Sequence, residues 1–141
     1  MSGDDPLASA PPAARLLGRR VLSADRRRGA VELEFHAAPE FLNRHGQVMG
    51  GMLAAMLDST VGCAAVAALP GQSVVTLTMN VTYLRPAAAG PMRASGRVVH
   101  RGRSIAFADG ELRDQSGEVV ASATATLRIV RPESQSGPRT L

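Results

Sequence analysis

The sequence of 141 residues contains no lysine, no tryptophan and a single cysteine, Cys63. One cysteine excludes an intrachain disulfide and any metal site built from a cysteine cluster. An unpaired cysteine also fits a reducing compartment, so we expect a cytoplasmic protein. Aromatic residues make up only 3% of the chain. The hydrophobic core must therefore be built from alanine, valine, leucine and methionine.

The absence of lysine means that all sixteen basic residues are arginine, and the net charge is +4. The planar guanidinium group forms paired contacts with phosphate and carboxylate, so such a surface suits anionic ligands. A genome that prefers arginine codons explains the same composition. Nucleic-acid binding is not expected, because the arginines are not interleaved with aromatic residues and no recognition module is present. His36, His45 and His100 lack the spacing of metal ligands, and we predict no metal site.

One long apolar stretch, residues 49–69, is almost free of charge and long enough to span a membrane. It is rich in alanine and glycine, however, and Asp58 lies near its middle. A central aspartate costs about 2.5–3.5 kcal/mol on the insertion scale. We therefore predict a buried helix of a soluble fold and no membrane association. The acidic start of the chain does not resemble a signal peptide.

The length fits one domain. Residues 1–14 are rich in proline and alanine, and residues 132–141 carry proline, serine and glycine without periodicity. Both segments are expected to be flexible. No linker or internal repeat lies between them. The sequence thus predicts a single domain over residues 15–131.

Within this domain, alternating apolar and polar residues predict several strands. The expected strands cover residues 20–24, 31–36, 75–83, 92–100, 104–113 and 119–130. A helix is expected over residues 51–68, and it is apolar on nearly every face, so other parts of the protein should surround it. Short connections between strands favour antiparallel pairing. The predicted fold class is α+β, with a five- or six-stranded antiparallel sheet wrapped around one central helix.

The strand over residues 75–83 shows strict alternation in the sequence. One face is expected to carry Val75, Leu77, Met79, Val81 and Tyr83. The opposite face is expected to carry Thr76, Thr78, Asn80 and Thr82.

Asp58 is the only charged residue in the predicted helix. Burying an unpaired carboxylate is very costly, so Asp58 must be hydrogen-bonded, protonated or exposed in a pocket. One interpretation is structural, with the carboxylate capping a nearby turn or lying at a helix edge. The other is functional, because such carboxylates occur often at active sites. The helix alone leaves both interpretations open.

Gly50 and Gly51 stand at the start of the same helix. Glycine allows a ligand to approach the backbone closely. The first N–H groups of a helix are unpaired and carry its positive end, which suits an oxyanion or a polarised carbonyl. These donors and Asp58, about two turns later, could flank one electrophilic carbon for acyl transfer, with Asp58 as general base or nucleophile. A glycine pair at a helix start is also a common packing device.

Residues 43–51, Asn-Arg-His-Gly-Gln-Val-Met-Gly-Gly, are followed by Leu-Asp-Ser at residues 57–59. This combination resembles the site motif of hotdog-fold acyl-CoA thioesterases of the phenylacetate-degradation type, in the 4-hydroxybenzoyl-CoA thioesterase superfamily. That motif runs Asn-x-x-Gly-x-x-His-Gly-Gly, with an Asp or Glu following in the central helix. Further segments match the later strands and turns of the family, at residues 76–86, 90–91, 99–104 and 117–123. The resemblance covers about residues 18–130 and implies the hotdog fold.

The resemblance also implies roles for individual residues. Asp58 would activate water or attack the thioester carbon, while the Gly50 N–H would polarise the thioester carbonyl. Asn43 would position the water or the substrate. Thr76 would come from the partner subunit and hold the water.

The same resemblance implies how substrate is bound. Met49 and Gly51 would lie at the substrate, and Arg85, Arg101 and Arg103 near the nucleotide end of coenzyme A. Two subunits would build each site, in a homodimer or homotetramer. Coenzyme A would enter only as part of the substrate, with no separate cofactor.

One position departs from the family motif, because Met49 replaces the histidine. Methionine is a weak acceptor and cannot donate a hydrogen bond. An active enzyme with an altered pocket, a slow enzyme and an acyl-CoA binder are all compatible with this change. The expected function is hydrolysis of an aryl- or medium-chain acyl-CoA. The alternative is a non-catalytic protein that binds acyl-CoA or an acyl carrier.

Overall fold

A computed structural model describes residues 5–131. The predicted α+β architecture is confirmed, with six strands in one sheet and a long helix packed on it. In chain order the helices and strands are α1 Pro12–Leu16, β1 Arg20–Asp25, β2 Ala30–Ala37, a 3-10 turn at Pro39–Phe41, α2 Gly50–Ala68, β3 Ser73–Tyr83, β4 Gly90–Arg101, β5 Ile105–Arg113 and β6 Val119–Val130. The predicted helix and strand bounds agree with these to within about two residues.

The sheet has the strand order β1-β2-β4-β5-β6-β3, and every pair of neighbours is antiparallel. α2 links β2 to β3, which lie far apart in the sheet. β3 therefore forms one edge beside β6. Because β3 runs back along α2, its last residue, Tyr83, reaches the start of the helix.

The sheet approaches α2 closely because small residues face it. A Cβ atom at Gly96 would lie 2.8 Å from the Thr60 side chain and 2.9 Å from the Thr60 carbonyl oxygen. Phe35, Leu33 and Met56 are among the largest fully buried side chains around this contact. Close packing between a glycine-containing sheet and an alanine-rich helix fits the low aromatic content.

Within the single chain, other protein surrounds α2 only in part. Ten of its residues are buried against the sheet, which identifies α2 as the core helix and not a membrane span. The side facing away from the sheet is only partly covered. That uncovered side carries Gly51, Ala54, Ala55, Asp58, Ser59, Gly62 and Val66.

The strict alternation predicted for β3 is wrong. The pairing of β3 with β6 shifts between Thr76 and Thr78, so Leu77 is an extra residue in a β-bulge. Val75 and Leu77 are 49% and 52% exposed, whereas Met79 packs against the core. The bulge therefore places Thr76 on the side that faces the helix.

The N-terminal segment is packed against the domain from Asp5 onward. Residues 1–14 were predicted to be flexible, yet Leu7 and Ala14 are buried and α1 begins at Pro12. The Asp5 carboxylate accepts a 2.9 Å hydrogen bond from the Leu7 N–H and pairs with Arg26. Residues 5–11, here called the N-terminal strap, thus extend the packed unit beyond the predicted boundary at residue 15. The predicted C-terminal tail, residues 132–141, lies outside the described residues.

Candidate active site

Asn43 builds the turn that precedes α2. Its side-chain oxygen accepts hydrogen bonds from the N–H groups of His45 (2.9 Å) and Gln47 (3.2 Å). Its own N–H donates to the Gln47 carbonyl at 2.7 Å. Asparagine favours such turns because its short side chain reaches nearby backbone groups. The structure thus gives Asn43 a loop-forming role, and the predicted contact with water or substrate stays a prediction.

The start of α2 presents free backbone donors. The Met49 carbonyl accepts the N–H groups of Met52 and Leu53, and no side chain caps the helix. Within residues 5–131, the N–H groups of Gly50 and Gly51 have no hydrogen-bond acceptor. Unpaired donors at the positive end of a helix attract an oxyanion. Met49 is beside them with its side chain 59% exposed.

Tyr83 is a residue of this region that sequence reasoning missed. Its hydroxyl donates a 2.8 Å hydrogen bond to the Gly50 carbonyl. Its ring covers Gly50 so closely that an added Cβ would lie 3.2 Å from a ring carbon. The sequence signal was the only tyrosine in the chain, at the end of a strand that returns to the helix start. Tyr83 and Arg85 line a pocket of about 330 Å³ there.

The Asp58 carboxylate is exposed on the uncovered side of α2. The Thr76 hydroxyl donates a 2.7 Å hydrogen bond to Asp58 Oδ1. Thr76 was expected to come from the partner subunit and hold the water, whereas in the structure it contacts Asp58 of its own chain, and its contact with water stays a prediction. No other described residue donates to Asp58. One carboxylate oxygen is therefore available to accept a proton.

Gly50 and Asp58 lie about two helical turns apart on α2 of one chain, and the prediction that they flank one carbon stays a prediction. Eight residues at 1.5 Å each separate them by about 12 Å along the helix axis. The donors and the carboxylate of a single chain thus stand near the limit of what one thioester and one water molecule can bridge, about 10 Å with contacts near 2.9 Å.

The three arginines predicted to lie near coenzyme A do not converge in the chain. Arg101 donates to the Ala68 carbonyl and so caps the far end of α2. Arg103 lies in the same β4–β5 turn. Arg85 is near the helix start, where it pairs with Glu118 at 3.4 Å. With a helix of 19 residues, about 27 Å long, between them, Arg85 and Arg101 occupy opposite ends.

A second pocket, here called the helix-face pocket, lies between the uncovered side of α2, the start of β3 and the N-terminal strap. Its volume is about 360 Å³. Cys63 lines it, and burial raises the pKa of this thiol. Because a protonated thiol is a poor nucleophile, Cys63 contributes an apolar wall and not a reactive group. The Arg19 guanidinium lines the same pocket.

Metal binding was not expected from the histidine spacing. Across residues 5–131 there is no group of three or more His, Cys, Asp or Glu side chains arranged to hold a metal ion. The chemistry available to the region around α2 therefore comes from backbone donors, the Asp58 carboxylate and hydroxyl groups.

Comparison with known proteins gives consistent similarities. The family model described as "Thioesterase superfamily" matches residues 45–121. Human acyl-coenzyme A thioesterase 13 is 28% identical over 117 residues, covering 82% of this chain and 83% of that protein.

Two solved structures are similar throughout the sheet and helix. A phenylacetic acid degradation-related protein from Ralstonia eutropha JMP134 gives a TM-score of 0.81 at 42% identity, covering 85% of this chain and 91% of the other. The Escherichia coli PaaI protein, from the phenylacetic acid degradation operon, gives a TM-score of 0.76 at 25% identity, with 83% of each chain covered. The span of the family model includes Gly50, Asp58 and Thr76.

Proposed function

The chain belongs to the thioesterase superfamily and has the hotdog fold, and from this premise we propose that it hydrolyses an aryl- or medium-chain acyl-CoA to the free acid and coenzyme A. The observation that carries the proposal is the exposed Asp58 carboxylate hydrogen-bonded to Thr76. Such a pair provides a base with one oxygen free. The unpaired N–H groups of Gly50 and Gly51 supply the donors that thioester hydrolysis needs.

The proposed reaction begins with a water molecule held between Asp58 and Thr76. The Thr76 hydroxyl donates to Asp58 and keeps lone pairs that accept one hydrogen of the water. The water oxygen attacks the thioester carbon while its other proton passes to the Asp58 carboxylate. The N–H groups of Gly50 and Gly51 stabilise the resulting oxyanion. The C–S bond then breaks, and the departing thiolate takes up the proton from Asp58.

A nucleophilic role for Asp58 is the alternative mechanism, in which its carboxylate attacks the thioester carbon, the coenzyme A thiolate leaves, and water then hydrolyses the resulting anhydride. A single turnover in ¹⁸O-labelled water distinguishes the two. With Asp58 as general base, the label enters the released acid and the protein gains none. Label in the Asp58 carboxylate after the first turnover contradicts the general-base mechanism.

We further propose that two copies of this chain build each site, in a homodimer or homotetramer. The separation of about 12 Å between Gly50 and Asp58 in one helix supports this arrangement. Exposed Val75 and Leu77 on edge strand β3 also favour pairing with a second copy, because an unpaired edge readily adds a strand.

Subunit mixing tests the shared site. Gly50→Pro, made in a Tyr83→Ala background so that the new ring has room, removes one backbone donor at a position where helices tolerate proline, and Asp58→Asn removes the base. Each variant alone should be inactive, whereas mixed oligomers should regain activity at sites that combine the intact halves. Mixed oligomers that form but stay inactive contradict the proposal.

The proposed chemistry uses water, a carboxylate and backbone donors, so it needs no cofactor beyond the coenzyme A of the substrate. We propose that Arg85 binds the anionic end of coenzyme A, because Arg85 lies beside the start of α2. We place the reaction in the cytoplasm, on the strength of the single unpaired cysteine.

A second candidate function is non-catalytic binding of acyl-CoA or an acyl carrier. Met49 favours it, because this exposed side chain at the helix start cannot donate a hydrogen bond. A panel of aryl- and alkyl-CoA thioesters, followed by thiol release, separates the two functions and identifies the acyl group. Tight binding without turnover, with hydrolysis gained in Met49→His, would select the binder.

A further inference from the structure

The helix-face pocket is lined by sequence neighbours of Asp58 and Thr76, and by neither of these two residues themselves. Its helix wall includes Ser59, the residue after Asp58, and its strand wall includes Val74, two residues before Thr76. The pocket continues along α2 to Val66, eight residues or about 12 Å beyond Asp58. Its volume of about 360 Å³ falls in the range of small-molecule sites. A substrate group of small-molecule size fits this volume next to the residue that follows Asp58.

At this pocket the Arg19 side chain hydrogen-bonds both to the N-terminal strap and to α2. Its Nη1 donates a 3.0 Å hydrogen bond to the Ser59 hydroxyl, and its Nη2 donates a 2.8 Å hydrogen bond to the Ser9 carbonyl. A guanidinium has five N–H donors, so three remain for a ligand. The two contacts fix the group in place, with its charge at the pocket wall.

The charge of Arg19 has no carboxylate partner within residues 5–131. Six other arginines in that range form ion pairs: Arg20, Arg26, Arg28, Arg85, Arg93 and Arg113. Arg19 is less exposed than its neighbour Arg20, which pairs with Glu34. A partly buried charge without a counter-charge is costly and gains most from an anionic ligand.

We infer that the helix-face pocket binds the acyl group of the substrate and that Arg19 selects an acyl group with a carboxylate at its far end. The substrate class is then the coenzyme A thioester of a dicarboxylic acid, which replaces the aryl or medium-chain acyl group while keeping the proposed hydrolysis. This inference rests on the proposed function. Gly62 and Val74 line the pocket around the methylene groups, while the Arg19 fork, held at Ser59, binds the distal carboxylate in a paired geometry.

Matched substrate pairs test the inference. Succinyl-, glutaryl- and adipoyl-CoA are compared with butanoyl-, pentanoyl- and hexanoyl-CoA, so that each pair differs only in the terminal carboxylate. For the best chain length, kcat/KM should be at least tenfold higher for the carboxylated substrate, because a hydrogen-bonded ion pair is gained. In Arg19→Gln this preference should fall to one or below. The matched control Arg20→Gln removes the neighbouring charge, and it should keep the wild-type preference.

The outcomes separate the inference from the proposed function. Hydrolysis with equal or better kcat/KM for the uncarboxylated substrates overturns the inference alone. If the protein hydrolyses none of these thioesters, the proposed function is contradicted. The binding of substrate analogues then tests the inference separately. Non-hydrolysable analogues, with a methylene group in place of the thioester sulfur, should bind more tightly when carboxylated, and equal or weaker binding overturns the inference. The comparisons of kcat/KM and of analogue binding both use the wild-type protein, so they test the inference even where Arg19→Gln fails to fold.

Discussion

The Thr76 hydroxyl lies 2.7 Å from Asp58 Oδ1 because Leu77 is an extra residue in β3. Without this bulge, a regular strand that faces Met79 and Tyr83 toward the helix would turn Thr76 away from it. Bulges re-aim side chains and occur often beside active sites. The pairing of Thr76 with Asp58 is thus a consequence of one local irregularity in an otherwise regular sheet.

Replacing Thr76 by valine should lower kcat about 10- to 100-fold, because a hydrogen bond to a charged group contributes about 1.5–3 kcal/mol. Thr76→Ser should retain most of the activity. Thr78→Val is the matched control, since Thr78 lies on the opposite face of the same strand and is exposed. Steady-state thiol release measures all three variants. Equal losses in Thr76→Val and Thr78→Val would show that the Thr76 contact is irrelevant to turnover.

Gly50 and Gly51 should respond differently to alanine. A Cβ at position 50 would meet the Tyr83 ring at 3.2 Å, whereas a Cβ at position 51 meets nothing within 4 Å. Gly50→Ala should therefore be less stable than Gly51→Ala by about 1–3 kcal/mol, the usual cost of overpacking. Urea unfolding gives both values. In a Tyr83→Ala background the difference should disappear, and its persistence would contradict the steric explanation.

Arg101 should contribute to stability and not to coenzyme A binding. Its guanidinium caps the Ala68 carbonyl at the negative end of α2. Arg101→Gln should lower the free energy of unfolding by about 1 kcal/mol, as expected for one hydrogen bond. The KM for an acyl-CoA should not change. A raised KM with unchanged stability would restore the nucleotide-binding role that the sequence suggested.

The Cys63 thiol should make stability depend on alkaline pH. Burial raises its pKa above the ordinary value of 9.0. Because the pKa is raised in the folded state, the contribution of the neutral thiol to the free energy of unfolding is fully present below pH 9.0. That contribution is lost as the pH rises through the folded pKa. Between about pH 8 and 10.5, wild type should lose more unfolding free energy than Cys63→Ala. Parallel curves for the two proteins would rule out a raised Cys63 pKa.

Much of the fold could be predicted because the patterns are local. The alternation of β6 is regular and its predicted bounds match Val119–Val130. Asp58 was identifiable as the one charge in an apolar helix. The structure excludes the turn-capping interpretation, because the carboxylate contacts the Thr76 side chain on β3 and caps no turn, while its catalytic role stays a prediction.

The rest depends on contacts that local patterns do not contain. The one-residue bulge at Leu77 cannot be predicted from the sequence, because threonine and valine suit either face of a strand. Tyr83 contacts a backbone carbonyl 33 residues away, and Arg19 contacts a serine 40 residues away. The strap looked flexible from its prolines and alanines, yet the burial of Leu7 anchors it.

We propose Asp58 as the base of a thioester hydrolase, and thiol release by Asp58→Asn tests this role. The substitution keeps the shape of the side chain and an oxygen that accepts the Thr76 hydrogen bond, so the fold should persist. We predict that kcat of Asp58→Asn falls about 10²- to 10⁴-fold, the usual contribution of a general base, with an unchanged melting temperature. Turnover by a folded Asp58→Asn protein at the wild-type rate would contradict it.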